Sequence, residues 1–155
     1  ADVKEERERK GQISTVYTCC AEAFPNTFTF SAPAEATWTI VHAVAGGYDG
    51  YLRWAVNSWT IDPLRDSRFR TWAAGDTYSI YPGPRSSIRF ERLVEGLQDA
   101  EKIYILREEL EAKGAKSKLK KLNELVDRFT PEGLVETQQD PTEMVQELNQ
   151  LLNEL

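Results

Sequence analysis

A strand, helix, strand spacing between residues 13 and 56 limits the folds open to this chain more than any other feature. Ile13 to Cys20, with Val16 and Tyr17 inside it, is rich in β-branched and aromatic residues and reads as a strand. Ser31, Pro33 and Glu35 mark a helix start, with proline in the first turn where its missing N–H is harmless. The helical pattern runs from Pro33 to Ala45, and Gly46-Gly47 stops it. Asp49-Gly50 then opens a second strand, Tyr51 to Val56, which sets Leu52, Trp54 and Val56 on one face and Arg53 and Ala55 on the other. Strands joined by a helical crossover run parallel and need cover on both faces. A two-stranded parallel sheet cannot stand alone. Its open edges invite pairing, so self-association or a complementing partner chain is expected.

The remaining stretches are read in the same way. Ala1 to Lys10 resembles the end of a charged helix closed by Gly11, and Ala23 to Ala32 is a loop around Pro25-Asn26. Asn57 to Pro84 is a long loop with a short extended piece at Thr77 to Tyr81, and a loop of that length in a compact domain is usually functional. Ser86 or Ser87 caps a long helix to Ala112, with Phe90, Leu93, Leu97, Ala100 and Tyr104 at steps of three or four. Beyond Gly114 two more helices are expected, Lys116 to Phe129 and one opened by Asp140-Pro141-Thr142-Glu143. The division is therefore an α/β part over 1–112 and a two-helix tail over 113–155. The tail has too few heptads for a coiled coil and is expected to pack back on the domain.

Composition removes several function classes. The 155 residues suit one ordinary domain. Nineteen Lys and Arg against 25 Asp and Glu give a net charge of -6, which argues against nucleic acid as a partner. No run of about 18 apolar residues exists to span a membrane, and the charged opening stretch does not read as a leader peptide. Cys19 and Cys20 are adjacent, and neighbouring cysteines rarely close a disulfide because the ring is strained. With one histidine, His42, and no zinc-type spacing, no metal or cofactor is expected. A Ser-His-Asp site would have to use His42, which lies in an apolar helical pattern and reads as structural.

The chemistry is expected in the first part. Of 16 aromatic residues, 13 fall between Gly11 and Pro84, and all four tryptophans lie from Trp38 to Trp72. The richest stretch is Gly50 to Trp59, where a strand ends in Trp54, Asn57 and Trp59 and opens into the long loop. This suits a site at the carboxyl end of a parallel strand. Indole faces stack on the C–H faces of sugar rings, and Asn or Arg bonds hydroxyls in two directions. Trp54 suits a core position equally well. Asp62, Asp66 and Asp76 lie in the loop, and each reads as a turn former rather than a proton donor. Arg53, Arg89, Glu91 and Asp99 are expected to form a salt-bridge network that pins the long helix.

Four blocks carry a family resemblance: Asp49 to Trp59, Trp72-Ala73-Ala74-Gly75-Asp76, Tyr81-Pro82-Gly83, and Ser87 to Glu101. In this order they resemble the C-terminal end of glycoside hydrolase family 123, over about Gly11 to Leu110, while the tail beyond matches no family. The resemblance implies an α/β fold, a partial (β/α)8 TIM barrel made of the last two βα units. Residues 13–20 and 51–56 would be its seventh and eighth strands, and 33–45 and 87–112 its seventh and eighth helices. A whole barrel needs about 250 residues. The resemblance also implies cleavage of β-linked N-acetylgalactosamine by an adjacent Asp-Glu pair, helped by the substrate's own acetamido group. That pair belongs to an earlier strand outside this chain. Trp54, Asn57 and Trp59 would line the sugar subsite, with Tyr81 from the following loop. The expected function is the C-terminal segment of a β-N-acetylhexosaminidase-like glycoside hydrolase, with a carbohydrate ligand and a missing N-terminal barrel portion as partners. The alternative is a non-catalytic carbohydrate-binding or assembly domain.

Overall fold

The computed structural model describes residues 3–68, 72–83 and 85–155. Ala1 and Asp2 of the expected leading helix, and 69–71 and 84 of the long loop, lie outside the described residues. Behind a short helix, α1 (Val3–Arg9), Gly11 turns the chain at φ +63°, a left-handed conformation that glycine adopts without steric cost. Strand β1 (Thr15–Tyr17), helix α2 (Ala34–Ala45) and strand β2 (Gly50–Leu52) follow. The strands pair in parallel, with Thr15 opposite Gly50, Val16 opposite Tyr51 and Tyr17 opposite Leu52. Both are shorter than the sequence predicts, 15–17 against 13–20 and 50–52 against 51–56. Among the described residues each has one neighbour only, so ladder bonds exist just where the two run side by side. Past Tyr17 and Leu52 the backbone pairing gives way to side-chain bonds, beginning with Thr18 Oγ1 at 2.7 Å from Tyr51 Oη.

Helix α2 starts on Pro33 without a side-chain cap on its own N-terminus. Glu35 organises the entry instead, accepting from the N–H groups of Ala32 at 2.9 Å and Asn26 at 3.0 Å. Ten of the twelve residues of α2 are buried, because β2 packs against it as well as α3 (Ile88–Ala112), α4 (Lys116–Val126) and α6 (Pro141–Glu154). Ser87 caps α3 by accepting from Phe90 N at 3.2 Å. Where α3 crosses α2, a Cβ built on Gly96 would lie 2.9 Å from Ile40 Cβ, so the two backbones meet where no side chain fits.

The expected two-helix tail holds three helices. Thr130 accepts from Gly133 N at 3.0 Å and, with Pro131 in the first turn, opens α5 (Pro131–Thr137), a seven-residue helix too short to show periodicity in sequence. Helix α6 (Pro141–Glu154) opens with the expected capping box. Asp140 accepts from Thr142 N and Glu143 N at 2.7 and 2.9 Å, and Glu143 accepts from Asp140 N at 3.0 Å. The tail packs back on the domain. One core runs from Trp38 and Val41 on α2 through Ile103 on α3 and Leu122 and Val126 on α4 to Phe129, Met144 and Leu148. Each such side chain contributes roughly 1.5–3 kcal/mol through burial. His42 belongs to this packing, with Nδ1 2.6 Å from Phe129 O and its ring stacked on Trp38 at 5.1 Å. Among the described residues the fold is thus mixed α/β, six helices and a two-stranded sheet.

Candidate functional site

The parity of the two strands sets the site. Val16, Thr18, Tyr51 and Arg53 turn to the helix side, where Thr18 and Arg53 are buried and Tyr51 packs on the core. The opposite face is open, with Tyr17 46%, Leu52 53% and Trp54 44% exposed. The alternation expected over 51–56 is present, but the charged arginine points inward and the apolar residues outward. Trp54 is therefore no core residue.

Arg53 is buried because all five of its N–H donors are used. Nε donates to Asp76 O at 2.7 Å; Nη1 donates to Thr18 Oγ1 at 3.2 Å and Tyr51 Oη at 3.1 Å; Nη2 donates to Asn26 Oδ1 at 2.9 Å and Asp76 Oδ1 at 2.8 Å. Asp76 and Arg53 form a buried ion pair whose side chains are 0% and 2% exposed. The other carboxylate oxygen of Asp76 accepts from Trp54 Nε1 at 3.2 Å. Trp54 also meets the ring of Trp72 edge-on, at 5.3 Å and 87°. The indole is held by its N–H and one edge while part of its surface faces outward. Gly75, at φ +96°, lets this loop approach within 2.8 Å of the backbone of Thr27 and Thr29, measured from a Cβ it does not carry.

The other expected site residues are placed separately. Asn57 is exposed, and its backbone bridges Tyr78 in antiparallel fashion, so the expected extended piece at 77–81 reduces to bridges at Tyr78 and Tyr81. Trp59, also exposed, donates from Nε1 to Ile80 O at 2.7 Å. Tyr81 turns toward α3, where Arg89 Nη2 donates to its hydroxyl at 3.3 Å and its ring meets Tyr78 at 5.5 Å. Asp62 and Asp66 pair with Arg65 and Arg68 on the surface, as turn formers do. The expected network of Arg53, Arg89, Glu91 and Asp99 does not form. Arg53 pairs with Asp76, Arg89 stacks over Tyr78 and Tyr81, and Asp99 is buried with one carboxylate oxygen unpartnered. Sequence spacing could not show which side of its strand Arg53 occupies.

The end of β1 contributes residues that sequence reasoning missed. Tyr17 shares the open face with Trp54, and its hydroxyl pKa is raised, first by partial desolvation, then by Cys19 and by the charge of Asp76. Glu22 is held below the usual carboxylate range, first by the Cys19 N–H that it accepts at 2.8 Å. The signal available in sequence was parity: residues 13, 15 and 17 share a face. Among the described residues no group of three His, Cys, Asp or Glu is placed to hold a metal ion, and no helix is long and apolar enough to cross a membrane.

Parallel strands joined by a helix, with a buried polar cluster and an exposed indole past their carboxyl ends, make up one βαβ unit of a mixed α/β fold. The chain belongs to a known enzyme family: the glycoside hydrolase 123 catalytic domain matches residues 1–106. Among solved structures, it is similar to a family 123 glycoside hydrolase from Clostridium perfringens, described for glycolipid glycan hydrolysis, with a TM-score of 0.75 and 25% identity. The similarity covers 97% of this chain and 29% of that one, so the chain spans under a third of the neighbour's length. It extends into the tail, which the sequence resemblance had left unmatched. No curated protein matches the chain.

Proposed function

We propose that this chain is the closing segment of a family 123 glycoside hydrolase barrel and supplies one wall of the sugar site, while the catalytic Asp-Glu pair stands on an earlier strand outside it. The observation that carries this reading is Trp54. Its ring is partly exposed beyond the carboxyl end of β2, yet its N–H is fixed by a carboxylate that is itself fully buried and ion-paired. Such preorganisation suits stacking on a sugar ring, here one of a β-N-acetylhexosaminide. Asn57 and Trp59 extend the wall from the loop that follows β2, whereas Tyr81 turns away toward α3, where Arg89 Nη2 donates to its hydroxyl. No proton transfer is assigned to these residues; they position a substrate.

Two uncovered apolar surfaces support a barrel completed by other residues. One is the sheet face of Ile13, Tyr17, Leu52 and Val56; the other is the stripe of Phe90, Leu97 and Tyr104 on α3. In a closed barrel the first faces the interior and the second meets a neighbouring helix. The free edges of β1 and β2 would pair with the adjoining strands.

A titration of N-acetylgalactosamine followed by tryptophan emission tests the wall. A saturable change is expected, absent in Trp54→Ala and reduced in Trp59→Ala. An emission indifferent to the sugar in the unsubstituted chain would sink the proposal. The alternative, a self-standing carbohydrate-binding module, is favoured by the exposure of both Trp54 and Trp59. It separates from the first reading by hydrolysis after addition of the complementary barrel portion, which a self-standing module would not restore.

A further inference from the structure

Arg89 stands in the first turn of α3 with 9% of its surface exposed, and no carboxylate among the described residues pairs with it. Its guanidinium lies over the rings of Tyr78 and Tyr81, 5.7 and 6.0 Å from their centres, and Nη2 donates to Tyr81 Oη at 3.3 Å. Nε is buried with no acceptor among the described residues. Arg53 shows what a buried arginine ordinarily requires, since all five of its N–H donors are used and Asp76 is its counter-ion. Aromatic faces offset part of the cost of burying a cation, but they supply no full counter-charge. Among the described residues Arg89 is thus a buried cation with no anionic side chain beside it.

The hydroxyl that Arg89 holds belongs to the wall of a cleft. Tyr81 lines it with Arg65, Ser67, Arg85 and Ser86, around a space of about 400 Å³. No described residue of the lining is acidic, although the chain as a whole carries a net charge of -6. Arg85 donates to a backbone oxygen, Pro82 O at 2.7 Å, and Arg65 meets Asp62 at 3.6 Å with its side chain 87% exposed. Neither contact uses up a five-donor guanidinium. Because Tyr81 Oη accepts from Arg89, its own proton is left to donate, and the adjacent charge polarises it. Ser86 stands just ahead of α3, whose first peptide groups carry the positive end of the helix dipole. The donors come from two separate stretches of chain and from a tyrosine, which suits a tetrahedral group better than a flat carboxylate.

We propose that this cleft binds a tetrahedral oxyanion, a phosphate or sulfate group, through Arg65, Arg85 and the Tyr81 hydroxyl, with Arg89 behind the tyrosine as a positioning residue. The anion accepts from the two exposed guanidiniums and from Tyr81 Oη. Arg89 holds that hydroxyl in place and strengthens it as a donor, and the anion in turn gives the buried guanidinium a counter-charge that no described side chain provides. The cleft shares no lining residue with the Trp54 cluster, so the site stands independently of what the Trp54 wall binds.

The probes are inorganic phosphate and sulfate, added as sodium salts to the 155-residue chain at constant ionic strength, with chloride and acetate as controls. Calorimetry should show one site per chain for either probe, with a Kd of about 1 mM or tighter. At about tenfold excess over Kd the Tm should rise by about 3–6 °C. Arg85→Ala and Tyr81→Phe should each weaken binding about tenfold, since each removes one charge-assisted or polarised donor. Arg89→Met should lose the phosphate-dependent rise while melting in chloride at least as high as the unsubstituted chain, because it removes a buried charge that has no paired acid. No saturable signal beyond chloride overturns the proposal. So does an acetate response equal to that of phosphate, or phosphate binding undiminished in Arg85→Ala or in a folded Arg89→Met. Arg85 is exposed, so its variant keeps the test intact if the change at the buried Arg89 prevents folding.

Discussion

Replacing Asp76 by alanine removes the carboxylate that holds both Arg53 and Trp54. The pair is buried at 2.8 Å with essentially no exposure on either side, so the substitution strands a guanidinium in the interior. Breaking one partner of such a pair costs about 3–5 kcal/mol. Arg53 keeps the backbone oxygen of residue 76, Asn26 Oδ1, Thr18 Oγ1 and Tyr51 Oη as acceptors, which places the cost at the lower end. The lost Trp54 bond adds less than about 1 kcal/mol, since water can replace the carboxylate at a partly exposed indole. A destabilisation of about 3–4 kcal/mol follows, or a drop of about 6–16 °C in Tm for a chain of this size. Urea and thermal unfolding followed by circular dichroism read it, and tryptophan emission should redden in the folded state as Trp54 loosens. Removing both charges, Arg53→Met with Asp76→Leu, should recover much of the loss. An Asp76→Ala chain within about 1 kcal/mol of the original, or a double variant no better than the single one, would refute the clamp.

Asp99 offers a pH signature. Burial, then Glu95, raises its pKa from 3.8 to about 6, against a smaller opposing pull from Lys102. A raised folded pKa means that the stability it contributes is fully present below the ordinary value of 3.8 and is lost as pH rises through about 6. The interval is worth at most about 3 kcal/mol, so Asp99→Asn should be the more stable chain at pH 8 and flatten the profile between pH 4 and 7 in urea titrations. A profile unchanged by the substitution would remove Asp99 from the explanation. At the α2–α3 crossing, a Cβ on residue 96 would meet Ile40 Cβ at 2.9 Å and the Thr37 Cα at 3.1 Å. Overpacking of about 1–3 kcal/mol outweighs a helix-propensity gain of about 1 kcal/mol, so Gly96→Ala should lower Tm by a few degrees, and a raised Tm would contradict the close contact.

The helices were the legible part of the fold because their signals are local. Ser87, the capping box at Asp140 and the glycines at 11 and 114 act within a turn of where they stand. Helix α5 escaped because seven residues do not reveal a period. The strands are shorter than propensity predicts, since propensity says where a chain can extend and the neighbour decides where it pairs. Within the site, Trp54 and Trp59 were legible as aromatics after a strand. Their support was not: Arg53 and Asp76 are 23 positions apart, and only the fold puts the arginine on the inner face. Arg53 accordingly pairs with Asp76 and not with the α3 charges that sequence alone suggests. Tyr17 escapes the sequence reading because propensity marks its strand and does not say which of its faces stays open.

The decisive measurement combines an aryl β-N-acetylgalactosaminide with the purified 155-residue chain in one cuvette, following tryptophan emission and aryl release together. A chain that supplies the sugar wall but no acid pair gives a saturable emission change, lost in Trp54→Ala, with no aryl release above the blank. Aryl release by the chain alone, or an emission that does not respond to the glycoside, would contradict it.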